Sequence, residues 1–320
     1  MATYKGIQGF GIQNRSSDPT IFDTGQVWYN STDQAFKLTV SGTDDPDSWA
    51  TGGNLPETRR EMGGAGTQTA ALAFGGQPSA PLGKSFEYNG TSWVEGNSMG
   101  TGRYNMGSCG TQTAALGFGG YFPGGGFRTD TEEYDGTNWT AGGALVTATY
   151  LGTGLGIQTA ALSIGPSAVV AQEYDGSTWT SGNGMNNPRN GGAGAGTQTA
   201  GLFFGGQPAP NGAKTETYDG TSFSNANDMN TGRNRLAGAG ATQDAAIAFG
   251  GTGTPVTTAA TELYNGTSWT TTTSMSNARF YIAGAGTKTS ALAFGGLPET
   301  TSTEEFSTGA GAAIRTITTT

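Results

Sequence analysis

Between residues 49 and 306 the apolar positions fall into short clusters that return at a near-constant interval. Apolar runs at 70–76, 114–120, 160–165, 200–206, 245–251 and 290–296 each close in glycine. The first closing glycines are Gly75, Gly119, Gly165, Gly205, Gly250 and Gly295, spaced by 44, 46, 40, 45 and 45 residues. A small-residue segment such as Gly191-Gly192-Ala193-Gly194-Ala195-Gly196 precedes each run. A Tyr followed by Asn-Gly or Asp-Gly, and then Trp or Phe, comes after five of them. Runs this short, bounded by glycine and polar turns, predict strands and no long helix.

The second repeat, residues 103–139, shows the order. Met106-Gly107-Ser108-Cys109-Gly110 is the first strand, the run 114–120 the second, Thr131-Glu132-Glu133-Tyr134 the third and the segment at Trp139 the fourth. Asp-Gly or Asn-Gly at 89–90, 135–136, 175–176, 219–220 and 265–266 predicts a tight hairpin with both turn residues at positive φ. A four-stranded unit repeated about every 45 residues is the signature of a β-propeller blade. The expected fold is therefore all-β, a six-bladed propeller, with small residues where inner strands converge. Tyr88, Tyr134, Tyr174, Tyr218 and Tyr264, with Trp93, Trp139, Trp179, Phe223 and Trp269, fill the widening outer gap. A seven-bladed ring that uses residues 26–40 is the alternative.

Arginine, an apolar run ending in Gly-Gly, Glu-x-Tyr-Asp and Trp, in that order, is similar to the kelch repeat, whose usual period is about 50 residues. The phrase Gly66-Thr67-Gln68-Thr69-Ala70-Ala71-Leu72-Ala73-Phe74-Gly75-Gly76 resembles kelch-like sequences of marine bacteriophages.

The charges that recur also follow the repeat. Arg103, Arg189, Arg233 and Arg279 open repeats whose third strands carry Glu132, Glu216, Glu262 and Glu304. The third repeat has Tyr150 and Gln172 at these places, so both charges are lost together. A buried ion pair predicts that joint loss, because an unpaired buried charge is costly. The first repeat sets Arg59 against Phe86, so Arg59 needs another partner, for which Glu87 is the candidate.

Closure and the termini complete the organisation. The last repeat has Glu304-Glu305-Phe306 but no following Trp, while Trp49 stands alone ten residues before Arg59. The strand at Trp49 is expected to pair with the last repeat and close the ring. Two segments follow: 1–40, an N-terminal extension, and 41–320, the propeller. Val27–Asn30 and 35–38 read as a hairpin, and Gly25-Gln26-Val27-Trp28-Tyr29-Asn30-Ser31-Thr32-Asp33-Gln34-Ala35-Phe36-Lys37 resembles a hairpin met in phage tail and fibre proteins.

Composition narrows the chemistry. The chain has 320 residues, 57 of them glycine, and a formal net charge of −9. With no basic stripe, nucleic acid is not an expected partner. No apolar segment is long enough for a membrane helix, and Met1–Gly6 lacks the apolar core of a signal peptide. Cys109 is single and reads as a small buried residue, which excludes an internal disulfide. There is no histidine, so histidine-based catalysis and histidine-ligated metals are excluded. No cofactor or metal is expected; Asp44-Asp45-Pro46-Asp47 matches no calcium loop and reads as a turn.

The loops between second and third strands vary. The longest, 121–128, carries Tyr121, Phe122, Phe127 and Arg128, residues suited to stacking on a sugar or anchoring a protein. The shortest, 166–169, is expected to face a neighbouring subunit. With the two resemblances, this implies a non-enzymatic structural virion protein of a marine phage, oligomeric in the particle. It would be held to other virion proteins through residues 1–40 and would present the propeller for decoration or for binding a host glycan or protein. A cellular or secreted kelch-like lectin or scaffold is the alternative, and a polysaccharide-degrading enzyme a weaker one.

Overall fold

The computed structural model describes residues 13–17, 27–40, 47–77, 82–165, 170–208, 210–253, 256–309 and 313–316. The chain is all-β, and no α-helix occurs among these residues. It divides into two compact units: 1–48 with 308–320, and 49–307.

The larger unit contains six four-stranded sheets, one per repeat. The second repeat is representative: Gly107–Thr111, Ala114–Phe118, Thr131–Tyr134 and Trp139–Ala141 run antiparallel in that order. In the last sheet Ala283–Thr287, Ser290–Phe294 and Thr303–Ser307 are followed by Ser48–Thr51, so the strand at Trp49 is its fourth member. Trp49 lies between Phe249 and Phe306, with ring centroids at 5.1 and 5.2 Å.

First strands lie against first strands. Gly63–Gly66 contacts Gly107–Thr111, the series continues through Thr153–Ile157, Ala193–Thr197 and Ala237–Thr242, and Ala283–Thr287 contacts Gly63–Gly66. Glycine is required where these backbones meet. A Cβ on Gly154 would lie 2.5 Å from the carbonyl oxygen of Ser108. We expect Gly154→Ala to destabilise the protein by about 1–3 kcal/mol through overpacking, checked by urea denaturation. The second strands are the most buried layer, with Leu72, Leu116, Leu162, Leu202, Ile247 and Leu292 fully enclosed.

Side chains stitch each sheet to the preceding one. The indole N–H of Trp93, Trp139, Trp179 and Trp269 donates to Thr303, Ser85, Thr131 and Thr215 at 2.9–3.0 Å. Trp49 makes the equivalent bond to Thr261 at 3.0 Å. Gln112 spans the same junction with its side-chain amide, donating to the carbonyls of Ala71 and Tyr88 at 3.0 and 2.7 Å. Gln68, Gln158 and Gln198 repeat this clamp. The Gln-Thr turns between first and second strands are therefore also fasteners between repeats.

The hairpins differ from the expected two-residue form. Only the glycine of each Asp-Gly or Asn-Gly pair has positive φ, for example Gly136 at 91°. The loop holds four residues, closed by Asp135 N–H donating to the carbonyl of Asn138 at 3.1 Å. The Asp135 carboxylate accepts from the N–H groups of Thr137 and Asn138 at 2.8 and 2.7 Å, so the side chain supplies the turn.

The smaller unit is described by itself. Val27–Asn30 and Ala35–Val40 form the expected antiparallel hairpin. Gln13–Arg15 adds in parallel to Val27–Asn30, and Ala313–Thr316 adds antiparallel to Ala35–Val40. The boundary at residue 40 therefore moves: the C-terminal strand belongs with the N-terminal hairpin, where it extends an otherwise open edge. Lys37 pairs with Asp33 at 2.9 Å, and the Asn30 side chain accepts from Thr32 and Asp33 N–H at 3.0 and 3.1 Å. Residues 44–46 and the short loop 166–169 lie outside the described residues.

Candidate functional site

The recurring arginines and glutamates are paired with one another. Arg103, Arg233 and Arg279 meet Glu132, Glu262 and Glu304 at 2.6, 2.7 and 2.8 Å, and Arg189 pairs with Glu216. All eight side chains are buried. The carboxylates also accept backbone N–H groups, such as Gly100 on Glu132 at 2.6 Å and Asn230 on Glu262 at 2.7 Å. In these four repeats the pair holds the second and third strands to the opening segment.

Two assignments change. Counting back from the first strand, the third-repeat residue equivalent to Arg103 is Thr149, not Tyr150. The backbone shows it: Gly76 N–H donates to the carbonyl of Arg103 at 2.9 Å, and Gly120 N–H to that of Thr149 at 2.8 Å. Spacing agrees with the backbone, since Thr149 follows Trp139 by ten residues as Arg103 follows Trp93, but no arginine marks the place. Gln172 there holds both backbone groups of Thr147, at 3.0 and 3.1 Å, so no charge is needed. Arg59 pairs with Glu57 at 2.5 Å and not with Glu87, since Glu57 lies two residues away on the same entering segment.

Glu87 has another role that the sequence pattern did not reveal. It accepts the phenol O–H of Tyr134 at 2.5 Å. Tyr88 donates to Glu305 and Tyr174 to Glu133 at 2.5 Å each, and Tyr218 donates to Glu173. Burial, reinforced by the carboxylate, pushes the Tyr88 and Tyr174 phenols up to about 12, so both remain donors. The glutamate directly before the third-strand aromatic (Glu87, Glu133, Glu173 and Glu305) therefore links neighbouring sheets, while Glu132 and Glu304, one place earlier in the strand, serve the arginines. We expect Tyr218→Phe to lower stability by about 1 kcal/mol, measured by thermal melting, because one charge-assisted bond is lost without a cavity. Cys109 is buried, and burial pushes its thiol up to about 12, which leaves it unreactive.

One recurring position is left with variable chemistry. It lies two residues after the opening arginine and carries Glu61, Asn105, Leu151, Gly191, Arg235 and Tyr281. All six have φ between 53° and 63°, the left-handed region, although five are not glycine. The N–H groups form a closed cycle: Asn105 donates to Glu61, Leu151 to Asn105, Gly191 to Leu151, Arg235 to Gly191, Tyr281 to Arg235 and Glu61 to Tyr281, at 2.6–3.1 Å. Six hydrogen bonds fix a conformation that is otherwise unfavourable for most side chains. The six residues, five of them with side chains, line a cavity of ≈ 180 Å³.

The contents of this mouth are unequal. Gln77 donates to the Glu61 carboxylate, whose pKa is raised by burial against the opposing pull of Asn105, Arg60, Gln77 and Arg235. The Arg235 guanidinium lies 4.7 Å over the Tyr281 ring. Among the described residues Arg235 makes no ion pair, and its buried Nε has no hydrogen-bond partner. Asn105 donates to the Tyr150 hydroxyl at 3.3 Å.

Tyr150 joins this mouth to the long loop. Residues 121–128 form a small hairpin, with Tyr121–Phe122 paired to Gly126–Phe127. Phe127 stacks on Tyr150 at 5.2 Å with the rings 7° apart, and Tyr121 lies 5.3 Å from Tyr104. Phe127 remains 53% exposed and Phe122 39%, so the cluster presents aromatic surface while anchored by tyrosines. Arg128 pairs with Asp130 at 2.5 Å and lies 5.9 Å over Phe122, so its charge is partly used within the loop. Among the four candidate binding residues, Tyr121 and Phe127 are brought to the tyrosines beside the mouth; Phe122 and Arg128 pair with each other.

Compared with known proteins, the chain matches no family model and no curated protein.

Proposed function

We propose that this is a non-enzymatic binding and assembly protein, a six-bladed kelch-like β-propeller that engages its ligand through the mouth ringed by Glu61, Asn105, Leu151, Gly191, Arg235 and Tyr281. The observation that carries this reading is the contrast between that ring and the rest of the repeat. Opening arginines, third-strand glutamates, tyrosines and tryptophans recur and are largely occupied in holding strands together. The ring position has a fixed backbone and six different residues, which is how a scaffold carries a specific surface. The six-bladed reading is supported by the cyclic hydrogen bonds and by the packing of the last first strand on the first.

The virion assignment rests on the marine-phage resemblance of the repeat and on the hairpin 27–38. In this reading the smaller unit docks on other virion proteins, the protein occurs in several copies, and the larger unit faces the host. Mass spectrometry of purified phage particles tests it, with the protein expected in stoichiometric amount. Recovery from cells but not from particles would favour a cellular lectin or scaffold.

A further inference from the structure

We infer that the mouth of the larger unit is a saccharide site, in which Glu61 and Arg235 bind hydroxyls of an uncharged sugar residue and the adjoining aromatic cluster receives the next one. This deepens the proposed binding function and rests on it. The cavity of ≈ 180 Å³ offers room for a small polar group. Its polar equipment has both signs: a carboxylate acceptor at Glu61, a guanidinium donor at Arg235, and the Asn105 amide. An anion would meet Glu61 and a chain of net charge −9; a cation would meet Arg235. A hydroxyl donates and accepts at once, so a polyol can satisfy both without bringing a charge.

The second requirement is an apolar face. Sugars present C–H surfaces as well as hydroxyls, and aromatic rings beside polar groups suit that combination. Tyr281 stands between Glu61 and Arg235 in the ring order, and Tyr150 continues outward to Phe127.

The test is an immobilised array of neutral pyranose oligosaccharides with uronate- and sulfate-bearing counterparts, probed with the full chain. Neutral sugars should be retained, and Glu61→Gly and Arg235→Gly should each weaken retention at least tenfold. Glycine already occupies the fourth ring position at Gly191, so both variants keep the left-handed backbone available. If either melts early, E61Q and R235K in the same assay should show the same tenfold loss. Retention of acidic sugars alone, retention of none, or indifference to all four substitutions overturns the inference. Protein present in particles that retains no sugar defeats the inference alone; protein absent from particles that retains neutral sugar defeats the virion reading alone.

Discussion

Glu216→Ala is expected to cost about 3–5 kcal/mol of folding stability, read as a lowered midpoint in guanidinium unfolding. Arg189 and Glu216 are both fully enclosed, with side-chain exposures of 0%. Burial pulls the Arg189 guanidinium below its ordinary value while Glu216 opposes the shift. Removing the carboxylate leaves the charge with carbonyls only, at Asn187, Gly205, Phe203 and Lys214. It also strips the acceptor from the N–H groups of Asn186 and Asn187, at 2.8 and 3.2 Å. The third repeat shows how the same place is filled without charge, by Thr149 and Gln172. Arg189→Thr with Glu216→Gln should therefore lose less than Glu216→Ala. A double variant that is the worse of the two would refute the pairing argument.

Trp49→Ala should destabilise by about 3 kcal/mol, with the effect confined to the junction of the fifth and sixth sheets. The indole fills the gap between Phe249 and Phe306, and its N–H meets Thr261 at 3.0 Å. The loss combines an aromatic void with an orphaned hydroxyl partner. Hydrogen exchange should show faster opening of 303–307 than of the equivalent strand Thr131–Tyr134. Uniform acceleration across all six sheets would mean that Trp49 matters globally and not as the last sheet's outer side chain.

Much of the larger unit was legible because each repeat states the same local physics. Strand breaks coincide with glycine, the fourth strand announces itself by an aromatic, and the joint absence of Arg and Glu in one repeat points to their pairing. The orphan Trp49 was readable for the same reason, as the one aromatic without a repeat of its own. In the third repeat Thr149, not Tyr150, stands ten residues after Trp139 as Arg103 does after Trp93, but with the arginine absent no side-chain chemistry marks the position.

Periodicity and charges that vary together were enough for the all-β class, the strand order within each repeat and the residues that become buried ion pairs. Long-range packing was needed to see that Gln68, Gln112, Gln158 and Gln198 clamp neighbouring sheets, that Glu87 serves Tyr134, and that Ala313–Thr316 returns to Ala35–Val40. It also decided the candidate site. Glu61, Asn105, Leu151, Gly191, Arg235 and Tyr281 share no side-chain chemistry, so no motif could mark them; what they share is a left-handed backbone and a cycle of hydrogen bonds between residues far apart in the chain.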